Sequence, residues 1–153
     1  MNKQSIYNSS LFQVYNQIFN QIKSIEKISD PLVFDITDEF EDNDYINARF
    51  SLNLLRIEIA YQLCSFKFNS LTVNQMYALL GHEFGHYYFK HTESNFRTES
   101  QADRYCINIL DKLKIPIRSL YDLHLLKSKQ LITNNKLTED FKERLLQAKR
   151  FID

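Results

Sequence analysis

Only two glycines occur in 153 residues, and both lie in one hexapeptide, Gly81-His82-Glu83-Phe84-Gly85-His86. The residues around it repeat with a helical period. A chain that avoids glycine everywhere else has therefore set two inside a helix, where each costs about 1 kcal/mol relative to alanine. A side chain must be unwelcome at both positions, because another backbone or a substrate comes close. The hexapeptide also contains His-Glu-x-x-His, whose spacing brings two imidazoles onto one helix face.

A step of about 100° per residue sorts this helix. Val73, Met76, Tyr77, Leu80, Phe84 and Tyr87 form an apolar stripe, the expected core face. His82 and His86 project nearly opposite, within about 40° of each other. The pair suits two neighbouring positions of a tetrahedral zinc. Glu83, about 100° around from His82, can reach a water beside the metal without being a ligand. Thr72 and Gln75 form a capping box at the helix start, and the helix is expected to run to about Lys90.

The next helix, expected from about Thr98 to Lys114 and stopped by Pro116, supplies the remaining chemistry. Its apolar stripe is Ala102, Cys106, Ile109, Leu110 and Leu113, and Glu99 and Asp103 sit at the edge of that stripe. Two carboxylates aimed at a core cost several kcal/mol unless charges or hydrogen bonds offset them. A zinc ion with imidazole ligands supplies the offset. Glu99 is thus the expected third ligand, with water in the fourth position. Asp103 is the expected acceptor for a ligand histidine's free N–H. His91, about 140° from His86 on an extended helix, is expected to point away from the metal. His124 is a candidate by residue type alone.

The remaining elements describe one α+β domain spanning 1–153, a small mixed sheet on a helical body with the zinc helix at its centre. A helix is expected over about 10–29, ended by Asp30-Pro31. Strands follow over about 32–60: Leu32 to Ile36, then Tyr45 to Leu52 and Leu54 to Ala60, hinged near Asn53. Asp38 to Asp44 reads as a solvated acidic loop. Two C-terminal helices are expected over about 119–151. The 12 Phe and 9 Tyr predict a core rich in rings.

Lys+Arg and Asp+Glu both number 19, so neither a nucleic acid nor an acidic membrane is an expected partner. There is no run of 18 apolar residues and no apolar leader after Met1, so the expected compartment is the cytoplasm. Cys64 and Cys106 lie far apart in apolar surroundings and are expected to be reduced core thiols.

His82-Glu83-x-x-His86 followed by Glu99-x-x-Ala102-Asp103 resembles the gluzincin metallopeptidases. The closest likeness is to the M48 group and its compact single-domain relatives, the minigluzincins. Asn47-Ala48 opens a strand as in that group, and Leu71-Thr72 with Gln75 is similar to its capped approach to the zinc helix. The resemblance covers about 32–115. It implies a zincin-like fold, one Zn²⁺ per chain on His82, His86 and Glu99, Glu83 as general base and acid, and a protein or peptide substrate. It also implies that Leu54 to Ala60 is a substrate-binding edge strand, whose close approach would explain the glycines. His82 to Tyr88 with Glu99-x-Gln101-Ala102 also resembles the small M78 (ImmA/IrrE-type) peptidases, which cleave repressors. The chain departs from the M48 pattern near its C-terminus. Glu143-Arg144-Leu145 is similar to the end of a segment that carries an intermediate-stabilising His-Pro, but no His-Pro precedes it. That departure motivates the alternative, a non-catalytic or latent zinc-binding regulatory domain.

Overall fold

The computed structural model describes residues 2–68 and 70–152. Among the described residues, six α-helices and three strands form a single α+β domain: α1 Lys3–Tyr7, α2 Ser10–Ile25, β1 Val33–Thr37, β2 Ala48–Ser51, β3 Arg56–Ala60, α3 Val73–Tyr88, α4 Phe96–Lys112, α5 Arg118–Thr133 and α6 Glu139–Arg150. Helix α1 was not expected from the sequence. The sheet is mixed, in the order β1-β3-β2. Strand β3 runs parallel to β1, with Val33 opposite Arg56, and antiparallel to β2, with Ala48 opposite Ile59. Leu54 to Ala60 is therefore not an edge. Its strand core is the central strand, bonded on both sides, and the free edges belong to β1 and β2, of which β2 lines the larger cavity beside the histidines.

The sheet and α2 reach the central helix through rings. Phe12 and Phe19 stack on Phe34 at 5.6 and 5.5 Å between centroids, and Phe19 meets Phe84 of α3 at 5.3 Å. Helix α3 is buried along most of its length. Val73, expected on its core face, is instead half exposed in the first turn. Both thiols are buried and unpaired, as expected, and Cys106 donates to the Ala78 carbonyl at 3.2 Å. Among the described residues, no helix is long and apolar enough to cross a membrane.

The glycines answer to the helix crossing. A Cβ on Gly85 would lie 2.7 Å from Ala102 Cα and 2.8 Å from Ala102 O. One on Gly81 would lie 3.1 Å from Cys106 Sγ. Of the two explanations open to the sequence, close approach of another backbone is the one found, and the substrate explanation is not needed. This contact sets the distance between the His-Glu-x-x-His helix and the helix that carries Glu99.

With both glycines used there, other residues must end the helices. Lys27, Lys90, Lys114 and Asn135 take left-handed φ of 53°, 56°, 60° and 57° just past α2, α3, α4 and α5. At each, the next residue's N–H returns to a carbonyl in the last turn, for example Ile115 N to Leu110 O at 2.9 Å. These are Schellman caps built without glycine. A non-glycine residue in this region is strained by about 1 kcal/mol. Lys114, exposed and remote from the histidines, gives a clean test. Lys114→Gly is expected to stabilise the fold by about 1 kcal/mol and to raise the melting temperature by roughly 2–4 °C in thermal unfolding. A lower melting temperature would contradict the strain.

Candidate metal and catalytic site

Helix α3 carries His82, Glu83 and His86 on the face turned away from Phe84. Asn95 caps α4, accepting from Thr98 N at 3.0 Å, which starts the helix two residues before the expected Thr98 and places Glu99 in its first turn. The structure brings His82, His86 and Glu99 together, with one potential ligand atom from each within 4.8 Å of the others. His82 Nε2 and His86 Nε2 are 3.0 Å apart, and Glu99 Oε2 lies 2.6 Å from His86 Nε2. That Glu99 oxygen is buried and has no hydrogen-bond partner.

The outer ring nitrogens are both engaged. Asp103 is buried, and its Oδ1 accepts from His82 Nδ1 at 2.7 Å. His86 Nδ1 lies 2.9 Å from His91 Nδ1, and His91 Nε2 lies 2.7 Å from Gln101 Oε1. An amide oxygen can only accept, so His91 Nε2 carries the proton and His91 Nδ1 offers a lone pair. His86 Nδ1–H then donates to His91. With one proton on each ring, the Nε2 lone pairs of His82 and His86 are left facing Glu99 and each other. Two lone pairs and a carboxylate so close together repel unless positive charge lies among them.

Proton affinities express the same demand. Burial disfavours the His82 imidazolium, yet the Asp103 and Glu99 carboxylates outweigh it and raise the His82 pKa to about 10. Burial would raise the Glu99 and Asp103 carboxyls. Their histidine partners instead hold both well below the usual carboxylate range: His82 and His86 for Glu99, His124 and His82 for Asp103. The three donors converge on a place that takes a cation, a proton at the least. A divalent metal would compete with that proton for the same nitrogens. The residues fit a zinc ligand set of two imidazoles and one carboxylate. Among the described residues, no fourth His, Cys, Asp or Glu joins the group.

Glu83 is buried beside the triad, and its Oε2 has no partner. Burial raises its carboxyl pKa, against the pull of His82 and His86. Two cavities meet at Glu83 and Glu99. The larger, about 460 Å³, runs along β2 from Ala48 past Leu54 to His91 and Ser94. The smaller, about 110 Å³, lies between α3, α5 and α6.

His91 differs from its expected place, and Gln101 and Arg144, named in the sequence only within family resemblances, prove to support the site. His91 does not point away; it supports His86. The wheel extended α3 through Lys90, but the helix ends at Tyr88, and the left-handed Lys90 turns the chain back so that His91 N bonds His86 O at 3.0 Å. Gln101 orients His91 in turn. Arg144 of α6 grips Asp103 through Nε and Nη2 at 3.1 and 3.2 Å. Lys127 of α5 lines the smaller cavity. His124 does approach the site, its Nε2 3.1 Å from Asp103 Oδ1, so it supports the aspartate. The Arg144 position was legible only as a resemblance to the tail of the M48 segment. No protein-family model, curated protein or solved structure matches the chain.

Proposed function

We propose that the chain is a zincin-like, zinc-dependent endopeptidase that holds one Zn²⁺ on His82, His86 and Glu99. The observation that carries this reading is the convergence of two imidazole lone pairs and an unsatisfied carboxylate oxygen. Beside them stands a buried glutamate with a free oxygen of its own. A bound zinc supplies Lewis-acid polarisation of a carbonyl and lowers the pKa of water toward about 7. Glu83 Oε2 takes the proton of the attacking water and returns it to the departing amide nitrogen. Burial raises its proton affinity, the direction that a group which both takes and returns a proton needs. Asp103 fixes the His82 ring, and His91 with Gln101 fixes the His86 ring. Arg144 and His124 hold Asp103 in place. The substrate lies extended in the larger cavity, adding to the free edge of β2. A set of three protein ligands, with no fourth among the described residues, favours the enzyme over a latent regulatory zinc domain. Two buried reduced thiols suit the cytoplasm.

Calorimetric titration of the apo-protein with zinc tests the ligand set. The wild type is expected to take up one zinc per chain. Asp103→Ala, which frees the His82 ring, is expected to bind roughly 10–100-fold more weakly. Glu99→Ala removes a ligand and is expected to bind more weakly still. If both variants bind zinc like the wild type, α4 is not part of a metal site and the reading fails.

A further inference from the structure

The smaller cavity holds a cation that no hydrogen bond or ion pair among the described residues engages. Arg144 is bound by Asp103, and His124 donates to the same carboxylate. Lys127 lines the cavity with Glu83 and Glu99 but makes no hydrogen bond and no ion pair with any described residue. It is half-buried, and the charges facing it are the carboxylates of Asp44, Glu83 and Glu99 and the Arg144 guanidinium. Burial presses its ammonium pKa down, so the group sits there at a cost. Long lysines normally carry the charge out to water. Here Lys127 shares the cavity wall with the apolar Ile46, Leu79, Leu123 and Phe141 as well as with Glu83, Glu99 and Arg144. A narrow, partly apolar pocket whose ammonium makes no hydrogen bond within the fold suits a short apolar stem with a carboxylate at its tip.

We propose that the smaller cavity is a carboxylate pocket in which Lys127 selects an acidic side chain or the free C-terminus of a peptide held at the metal site. The inference rests on the peptidase reading for what the pocket belongs to, but its chemistry is measurable without turnover. The chain then cuts beside acidic residues, if the side chain is the source, or trims peptides from their C-terminal end. A pocket of about 110 Å³ admits one residue at most, so the selection acts at a single position next to the scissile bond.

The test titrates the zinc-loaded full chain with N-acetyl-glutamate amide, with N-acetyl-leucine, and with their neutral counterparts N-acetyl-glutamine amide and N-acetyl-leucine amide. One carboxylate is expected to bind roughly 10- to 100-fold more tightly than its neutral counterpart, the span of one charge-assisted hydrogen bond. Which of the two does so identifies the source. Lys127→Met is expected to abolish the preference, and Lys127→Arg, which keeps the charge, to retain it. Equal binding of charged and neutral probes overturns the proposal. A preference that survives Lys127→Met overturns it too, because the carboxylate is then held by the metal. Cleavage of a peptide mixture separates the two readings. Efficient cutting with no acidic or C-terminal preference sinks the pocket and leaves the peptidase standing. A Lys127-dependent preference in a protein that cuts nothing supports the pocket and removes the peptidase.

Discussion

Gly85→Ala is expected to destabilise the fold by about 2 kcal/mol or more and to weaken zinc binding, although it adds only one methyl group. The new Cβ would stand 2.7 Å from Ala102 Cα and 2.8 Å from its carbonyl oxygen, both backbone atoms. No rotamer relieves that, so α3 and α4 must separate. Overpacking of this kind costs about 1–3 kcal/mol and occasionally more, well above the helix-propensity gain of about 1 kcal/mol from losing a glycine. The damage falls on the site because Ala102 lies between Glu99 and Asp103, and Gly85 adjoins His86. Gly81→Ala is the matched control. Its Cβ would meet the Cys106 sulfur at 3.1 Å, a side-chain atom that can give way. The propensity gain should then leave Gly81→Ala near neutral. Thermal unfolding is expected to place the Gly85 variant roughly 5 °C or more below the Gly81 variant. Equal melting temperatures would show that the helix crossing does not require Gly85.

What the sequence made legible was local. The capping box at Thr72 and Gln75, the His-Glu-x-x-His face, and the Glu99 and Asp103 pair all depend on spacings within one helix, and the structure reproduces those positions. The misreadings share a physical cause. Helix ends are usually announced by glycine, and this chain closes its helices with lysine and asparagine in left-handed turns. Three consequences follow. Helix α2 stops at Ile25, short of the expected residue 29; α3 stops at Tyr88; and His91 folds back onto His86. The start of α4 was placed late because Asn95, its cap, sits in a polar run that reads as loop.

Strand order escaped for a different reason. Alternating apolar residues report that a strand exists and which face it buries, but not which strand lies beside it. The parallel pairing of β1 with β3 puts Arg56–Ala60 in the middle and leaves β1 and β2 as the edges. Arg144 and Lys127 depend on α5 and α6 returning to α3 and α4, contacts that no short-range spacing encodes. The glycine question needed the same long-range knowledge, since only the crossing with Ala102 and Cys106 decides between a backbone and a substrate.

Glu83→Gln has the largest expected effect on activity, and it isolates chemistry from metal binding. The substitution keeps size and burial and leaves His82, His86 and Glu99 untouched, but an amide cannot accept the water's proton. General acid–base groups contribute typically 10²- to 10⁴-fold, and Glu83 is assigned both transfers. The measurement is zinc content together with cleavage of an unbiased peptide mixture, on wild type and variant in parallel. The expected result is one zinc per chain in both proteins, and a cleavage rate in Glu83→Gln lower by about 10³-fold or more. A variant that keeps its zinc and cleaves as fast as the wild type would contradict the assignment of Glu83, and with it the proposed mechanism.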